Sequence, residues 1–169
     1  MPFEQVNSKV VSVPVAPGRE ILARRGAMLA YTGQVAFAPV RATGGPGGLG
    51  GMAGRMMAGE QVPMMVAQGQ GTVQYGYRGM HLTIIEVGGS GPLTVEADRL
   101  VAHDAALQST LVFLGSQGGI RGAVRGAVSG QGLFTTQLHG YGTAVVLSHG
   151  GTIALPVHPG VATTVDPQA

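Results

Sequence analysis

Cysteine is absent from this 169-residue chain, which excludes disulfides and thiolate metal sites. Charge is nearly as scarce. Asp, Glu, Lys and Arg together make up 11% of the sequence, where a soluble domain ordinarily carries about a quarter. Lys9 is the one lysine, the other cations are scattered arginines, and the formal net charge is +2. That balance forms no basic stripe. Phe and Tyr number four each, too few to interleave stacking rings with cations along a nucleic-acid surface, so nucleic acid is not an expected partner. No apolar run reaches the length of a membrane-spanning helix. The opening MPFEQVNSKVV has neither a basic leader nor an apolar signal core, and the expectation is a cytoplasmic protein.

What is present points to a packed β protein. Hydrophobic residues make up 44% of the chain, enough for a real core in a single domain over 1–169. A surface with so few charges is hard to cover, and a partner, most simply a second copy of the chain, would cover part of it. The 30 glycines show no collagen-like triplet period and sit at recurrent turn positions instead.

The chain is organised around Gly44–Gly71, GGPGGLGGMAGRMMAGEQVPMMVAQGQG, and this stretch has a second copy from Gly118, GGIRGAVRGAVSGQGLFTTQLHGYGT. Gly48 maps to Gly119, Gly59 to Gly130, Gly69 to Gly140, Gly71 to Gly142 and Thr72 to Thr143, all at an offset of 71. Two tandem units over 18–88 and 91–158 follow, with a closing strand over 161–166 that echoes Leu93, Val95 and Ala97 through Val161, Thr163 and Val165. Two such units exchanging edge strands across a pseudo-dyad would protect each other's edges. The fold class is therefore all-β: two pseudo-symmetric units forming a β-sandwich or double-stranded β-helix, with two short helices.

Within the units, β-branched and alternating stretches predict strands over 9–15, 20–23, 27–31, 34–40, 61–67, 71–77 and 81–87. The second unit has strands over 92–97, 99–103, 107–114 (matching the Val35 strand after a small insertion), 132–139, 143–148 and 152–158. The loops at Gln68–Gly71 and Arg78–Gly79 suit hairpins. Leu49, Met52, Met56 and Met57 have helical spacing over 49–58, although Gly50, Gly51 and Gly54 each weaken a helix by roughly 1 kcal/mol. Residues 119–129 form a clearer amphipathic segment, with Ile120, Val124 and Ala127 on one side and Arg121 and Arg125 on the other.

GAMLAYTG at 26–33, the Gly48-Leu49 to Gly59-Glu60-Gln61 block, RLVAHD at 99–104 and GYGT at 140–143 occur in an order and spacing that resembles the altered inheritance of mitochondria family. The similarity runs over about 9–166. It implies a TRAP-like fold, similar to the tryptophan RNA-binding attenuator protein and built of double-stranded β-helix units. It also implies, for mitochondrial relatives, a part in inner-membrane organisation and respiratory-complex upkeep. Bacterial members have no generally assigned role, and the resemblance carries over no catalytic residue. Longer relatives continue past the closing Val-Asp strand, whereas here Asp166 is followed by Pro167-Gln168-Ala169.

Candidate chemistry is thin. A cupin-like metal site would want a His-x-His pair, then a Glu, then a distant His. The nearest approach is His81 with Glu86 and the distant His139. An odd separation sets His81 and Glu86 on opposite faces of a regular strand, so ordinary surface or half-buried histidines are the competing reading. Ser148-His149 are adjacent but in no nucleophile-elbow pattern. GGPGGLGG lacks the Gly-Lys-Ser/Thr ending and the βαβ setting of a phosphate loop. The helical segments offer more. Leu49, Met52, Met56 and Met57 form a soft apolar surface and Arg55, Arg121 and Arg125 a basic one, either an interaction surface for a protein partner, a weak peripheral membrane contact, or caps on the open ends of the β-units. The sequence thus reads as a non-enzymatic, self-associating scaffold or interaction protein with no cofactor. A cupin-like small-ligand or metal-binding barrel and a peripheral membrane organiser are the alternatives.

Overall fold

A computed structural model describes residues 2–40, 64–88, 91–113 and 134–164. The two expected helices, over 49–58 and 119–129, lie outside these residues. Eleven strands run in the order β1 (Glu4–Asn7), β2 (Val10–Val15), β3 (Ile21–Arg24), β4 (Met28–Pro39), β5 (Met64–Tyr75), β6 (His81–Val87), β7 (Leu93–Glu96), β8 (Leu100–Asp104), β9 (Gln108–Phe113), β10 (Phe134–His139) and β11 (Gly142–Ser148). A single 3-10 turn, Ala97–Arg99, links β7 to β8. Among the described residues no helix is long and apolar enough to cross a membrane. The all-β class read from the alternating pattern is the class observed.

One sheet has eight strands in the order β1-β2-β5-β3-β8-β11-β6, with β4 on the other edge of β5; the second has three, β7-β10-β9. The long sheet rolls until the Leu82 amide, at the start of β6, donates to the Ser8 carbonyl in the β1–β2 turn at 2.8 Å. The roll encloses a core of Val11, Val13, Val15, Ile21, Val73, Tyr75, Val101 and Val145, all but fully buried. Alternation along β2 explains its share: Val11, Val13 and Val15 point inward while Val10, Ser12 and Pro14 are half-buried. Leu100, Leu107, Leu138 and Ala144 form a smaller cluster under the second sheet.

The ladders repeat. Val73 of β5 lies between Val13 of β2 and Tyr31 of β4, and Ala144 of β11 lies between Ile85 of β6 and His103 of β8. Likewise Ala67 lies between Ile21 and Phe37, and Leu138 between Leu93 and Ser109. In structural order β2, β3, the two halves of β4 and the two halves of β5 correspond to β6, β7, β8, β9, β10 and β11. The ladder pairs put Leu107 in the place of Val35 with no insertion between the units, contrary to the sequence reading.

The structure corrects several expected boundaries. The hairpin at Gln68–Gly71 does not form: β5 runs unbroken from Met64 to Tyr75, and β4 absorbs the break expected near Thr32. The glycines serve close approach instead of a turn. A Cβ on Gly71 would lie 2.1 Å from the Thr32 carbonyl oxygen, and one on Gly69 would lie 2.2 Å from that of Gln34. So β4 and β5 approach most closely at Gly33, Gly69 and Gly71, where a side chain would meet the partner strand's backbone. Only in the second unit does the same place open, between His139 and Gly142, and there Gly140 keeps the positive φ of Gly69 (+107° against +117°). Arg78 and Gly79 do form a tight turn with positive φ at both, but it links β5 to a strand that pairs elsewhere. β1 was not expected. The strands expected over 152–158 and 161–166 are not formed: residues 151–164 carry no ladder and are exposed throughout, and 165–166 lie outside the described residues. The edge exchange is also one-sided: β3 pairs with β8, whereas β7 and β4 do not meet.

This close approach yields a stability test. Gly71→Ala should cost more than about 2 kcal/mol, because the added methyl meets backbone and the ladder must part. Gly69→Ala should cost at least as much, with the strain of its positive φ added. Gly150→Ala, in open space, should stay within about 0.5 kcal/mol. Urea unfolding midpoints at constant slope measure all three.

Candidate functional site

The residues proposed as an interaction surface, Leu49, Met52, Arg55, Met56, Met57, Arg121 and Arg125, lie outside the described residues. The weak metal candidates can be placed. His81 opens β6 opposite Ser148, and Glu86 sits near the far end of the same strand opposite Thr143. His139 ends β10 in the other sheet, opposite Gln108. They are not brought together, and among the described residues no group of three His, Asp or Glu side chains has the arrangement of a metal site.

A polar cluster that the sequence did not announce lies at the joint between the units. The Asp104 carboxylate ends β8. Its Oδ1 accepts from Arg19 Nε at 2.9 Å, and its Oδ2 accepts from the Thr143 backbone amide at 2.8 Å and from an Arg19 terminal nitrogen at 3.4 Å. The Thr143 hydroxyl in turn donates to Glu86, 3.1 and 3.2 Å from its two oxygens. Arg19 also lies over the Phe3 ring, 5.4 Å from its centre. Arg24, buried at the end of β3, crosses the same joint: it donates to the Asp98 carbonyl at 2.7 Å and stacks over Tyr77 at 4.7 Å. His103, 2% exposed, holds its Nδ1 2.8 Å from the Asp104 carbonyl. Because that oxygen only accepts, Nδ1 carries the proton. Burial lowers the His103 pKa, with the Asp104 carbonyl and carboxylate pulling the other way. Asp104 is the hub of this cluster: Arg19, the Thr143 amide and, through the Asp104 carbonyl, His103 all bond to it.

Two surfaces stand open. A shallow groove of about 670 Å³ runs between the Ala16–Glu20 turn and the Tyr31–Ala36 part of β4, and Glu20 is its sole charged lining residue. Beside it lies the outer edge of β4. Its twelve residues contain no charged side chain and, among the described residues, pair on one side only, with β5. Met28, Leu29 and Tyr31 are exposed on it, with Tyr31 held edge-on to Phe37 at 5.2 Å between ring centres.

With the fold in place, comparison with known proteins identifies the chain's relatives. The profile of the family described as mitochondrial biogenesis AIM24 matches residues 3–169. The chain belongs to this family. Among solved structures, the AIM24 chain is similar to a Streptococcus pyogenes protein determined by X-ray crystallography in a structural-genomics programme, with a TM-score of 0.59 at 19% identity. The similarity covers 88% of this chain and 63% of that one, so the AIM24 chain spans less than two thirds of its solved neighbour. At that identity the likeness is one of fold. No curated protein matches it significantly.

For this AIM24 chain the joint gives two expectations. Asp104→Ala strands the Thr143 amide and one partner of Arg19, and should lower stability by about 2–4 kcal/mol; Arg19→Ala, at a part-exposed position, should cost about 1 kcal/mol. Chemical denaturation of the two variants checks the order. His103 adds a pH dependence. Its folded-state pKa lies below the ordinary 6.5, so its contribution is complete above that value and is lost as pH falls through the ordinary range toward the lowered one. His103→Asn should flatten the decline in urea midpoint between pH 8 and pH 5.

Proposed function

We propose that this AIM24 chain is a non-enzymatic scaffold or interaction protein of the TRAP-like β class that works as a self-associated assembly. The observation that carries the reading is β4: a twelve-residue edge strand, free of charge, with exposed Met28, Leu29 and Tyr31. Monomeric proteins blunt such an edge with charge, proline, a bulge or a cover. Here Pro39 stands at its far end and a bulge at Leu29 near its start, and from Ala30 to Ala38 the strand runs in regular register with neither. The low charge of the whole chain works in the same direction, since few residues are left to keep an apolar edge apart from its like.

A non-enzymatic role is supported by how the polar groups are used. Asp104 bonds Arg19 across the joint and the Thr143 amide within its own unit, and His103 bonds the Asp104 carbonyl, so the acidic and imidazole groups best placed by burial are committed there. The family description, mitochondrial biogenesis, fits an organising role in which the assembled surface is the working part. Sedimentation equilibrium at low micromolar concentration tests the proposal. A dimer or larger species is expected; a strictly monomeric protein would remove its support.

A further inference from the structure

We propose that copies of this chain join edge to edge, with β7 of one copy pairing antiparallel to the first half of β4 in the next, in the register that β3 and β8 use inside the chain. The inference rests on the self-association reading above and names its seam.

The argument comes from the repeated ladders. By the register equivalences, β7 stands in the second unit where β3 stands in the first, and β8 stands where residues 28–32 of β4 stand. Inside the chain β3 pairs on both edges, with β5 and with β8. β7 pairs with β10 alone, and β4 with β5 alone, among the described residues. Each unit therefore brings one donor edge and one acceptor edge. The chain uses the first unit's donor and the second unit's acceptor. One of each is left over: β7 at the edge of the three-stranded sheet and β4 at the edge beside β5.

Burial records what the missing neighbour would do. Leu29 is 57% exposed, and Val101, at the equivalent place in β8, is 0% exposed. Tyr31 is 49% exposed against 2% for His103. The whole of β8 is buried, whereas Met28 to Thr32 are all exposed. On the donor side, Ile21 and Ala23 of β3 are buried while Leu93 and Val95 of β7 are only half so. Leu29 with Val101, Ile21 with Leu93 and Ala23 with Val95 are apolar pairs at the same strand positions. Among the described residues β3 and β8 have a strand alongside that β7 and β4 lack.

The in-chain pairs Ile21 with Asp104, Leu22 with His103 and Ala23 with Ala102 translate into Leu93 with Thr32, Thr94 with Tyr31 and Val95 with Ala30 across the seam. None of these six residues is charged, so no like-charge contact opposes the pairing. Because the two edges differ, the contact is heterologous and runs head to tail. The seam lacks one thing the joint has. Arg19 and Asp104 correspond to Gly91 and Thr32, so no ion pair locks it, and association is reversible where the joint is fixed.

The absence of native cysteine makes the test clean. Thr94→Cys and Tyr31→Cys, both at exposed positions, are prepared in the full chain as two single variants and as a double variant. Residues directly opposite in an antiparallel ladder lie about 4.5–5.5 Å apart between Cα atoms, within disulfide range. Under mild oxidation, mixing the two single variants should give a cross-linked dimer that neither gives alone. The double variant should give cross-linked dimers or larger species, all reversed by reductant. A monomeric double variant whose two thiols are consumed would show that the edges meet within one chain, and overturns the proposal. So does an unlinked protein that still sediments as an oligomer, in which case self-association stands and the seam lies elsewhere. Linkage of Tyr31→Cys to Leu155→Cys in place of Thr94→Cys overturns it as well, since the exposed 151–164 segment would then hold the edge. A wild-type protein that sediments as a monomer sinks the underlying reading itself.

Discussion

Three backbone pairs between β3 and β8 hold the two halves of the molecule in one sheet, and the rest of the arrangement depends on them. Alone they would be a short ladder. They are reinforced at one end by Asp104, which accepts from Arg19 on one side and from the Thr143 amide on the other, and at the other by Arg24, which reaches the Asp98 carbonyl. The ladder sets direction and register, and the carboxylate and guanidinium groups fix the ends against slippage. A one-residue slip would exchange the two faces of β8, setting Leu100, Ala102 and Asp104 where Val101 and His103 now pack. In a chain with so few charges, placing Asp104, Arg19 and Arg24 at one joint is a large share of its electrostatic specificity.

Much of the architecture was legible because it is local. Alternation in Val11, Val13 and Val15 needs only a period of two. The repeated glycines at 69 and 140 mark positions that share a positive φ. What failed was the meaning of those glycines. Gly69-Gln70-Gly71 has the composition of a hairpin turn, and only the partner strand shows that it is a place of close approach within one ladder: the Thr32 and Gln34 carbonyls lie where side chains would stand. The polar joint was illegible for the same reason. Arg19 and Asp104 are 85 residues apart, and neither has a local pattern that names the other. The histidine chemistry considered from spacing likewise dissolved once His139 was placed in a different sheet from His81.

Tandem duplication has a geometric consequence here. If each unit offers one edge and accepts one edge, two units joined once must leave one of each over, unless their relation closes on itself. The intramolecular partner of β3 is β8, but β7 and β4 do not meet, so the relation is not closed within the chain. A dyad exchange would have hidden both edges. The departure from that symmetry is what exposes Leu29 and Tyr31, and it explains why an apolar face survives on a protein with little charge to screen it.

The segment after β11 separates what local sequence decides from what a ladder decides. Ile153, Leu155, Pro156, Val157, Pro159 and Gly160 repeat Val11, Val13, Pro14, Val15, Pro17 and Gly18. The turns that follow are the same: Arg19 N–H donates to the Ala16 carbonyl at 2.8 Å and Val161 N–H to that of His158 at 3.2 Å, and Gly18 and Gly160 both have φ of +79°. Yet β2 is a buried strand between β1 and β5, and its near-copy is exposed and unpaired. Proline and glycine write the turn into either stretch without outside help. The strand is not written that way, because its hydrogen bonds belong to a neighbour, and β5 has already given that edge to β2.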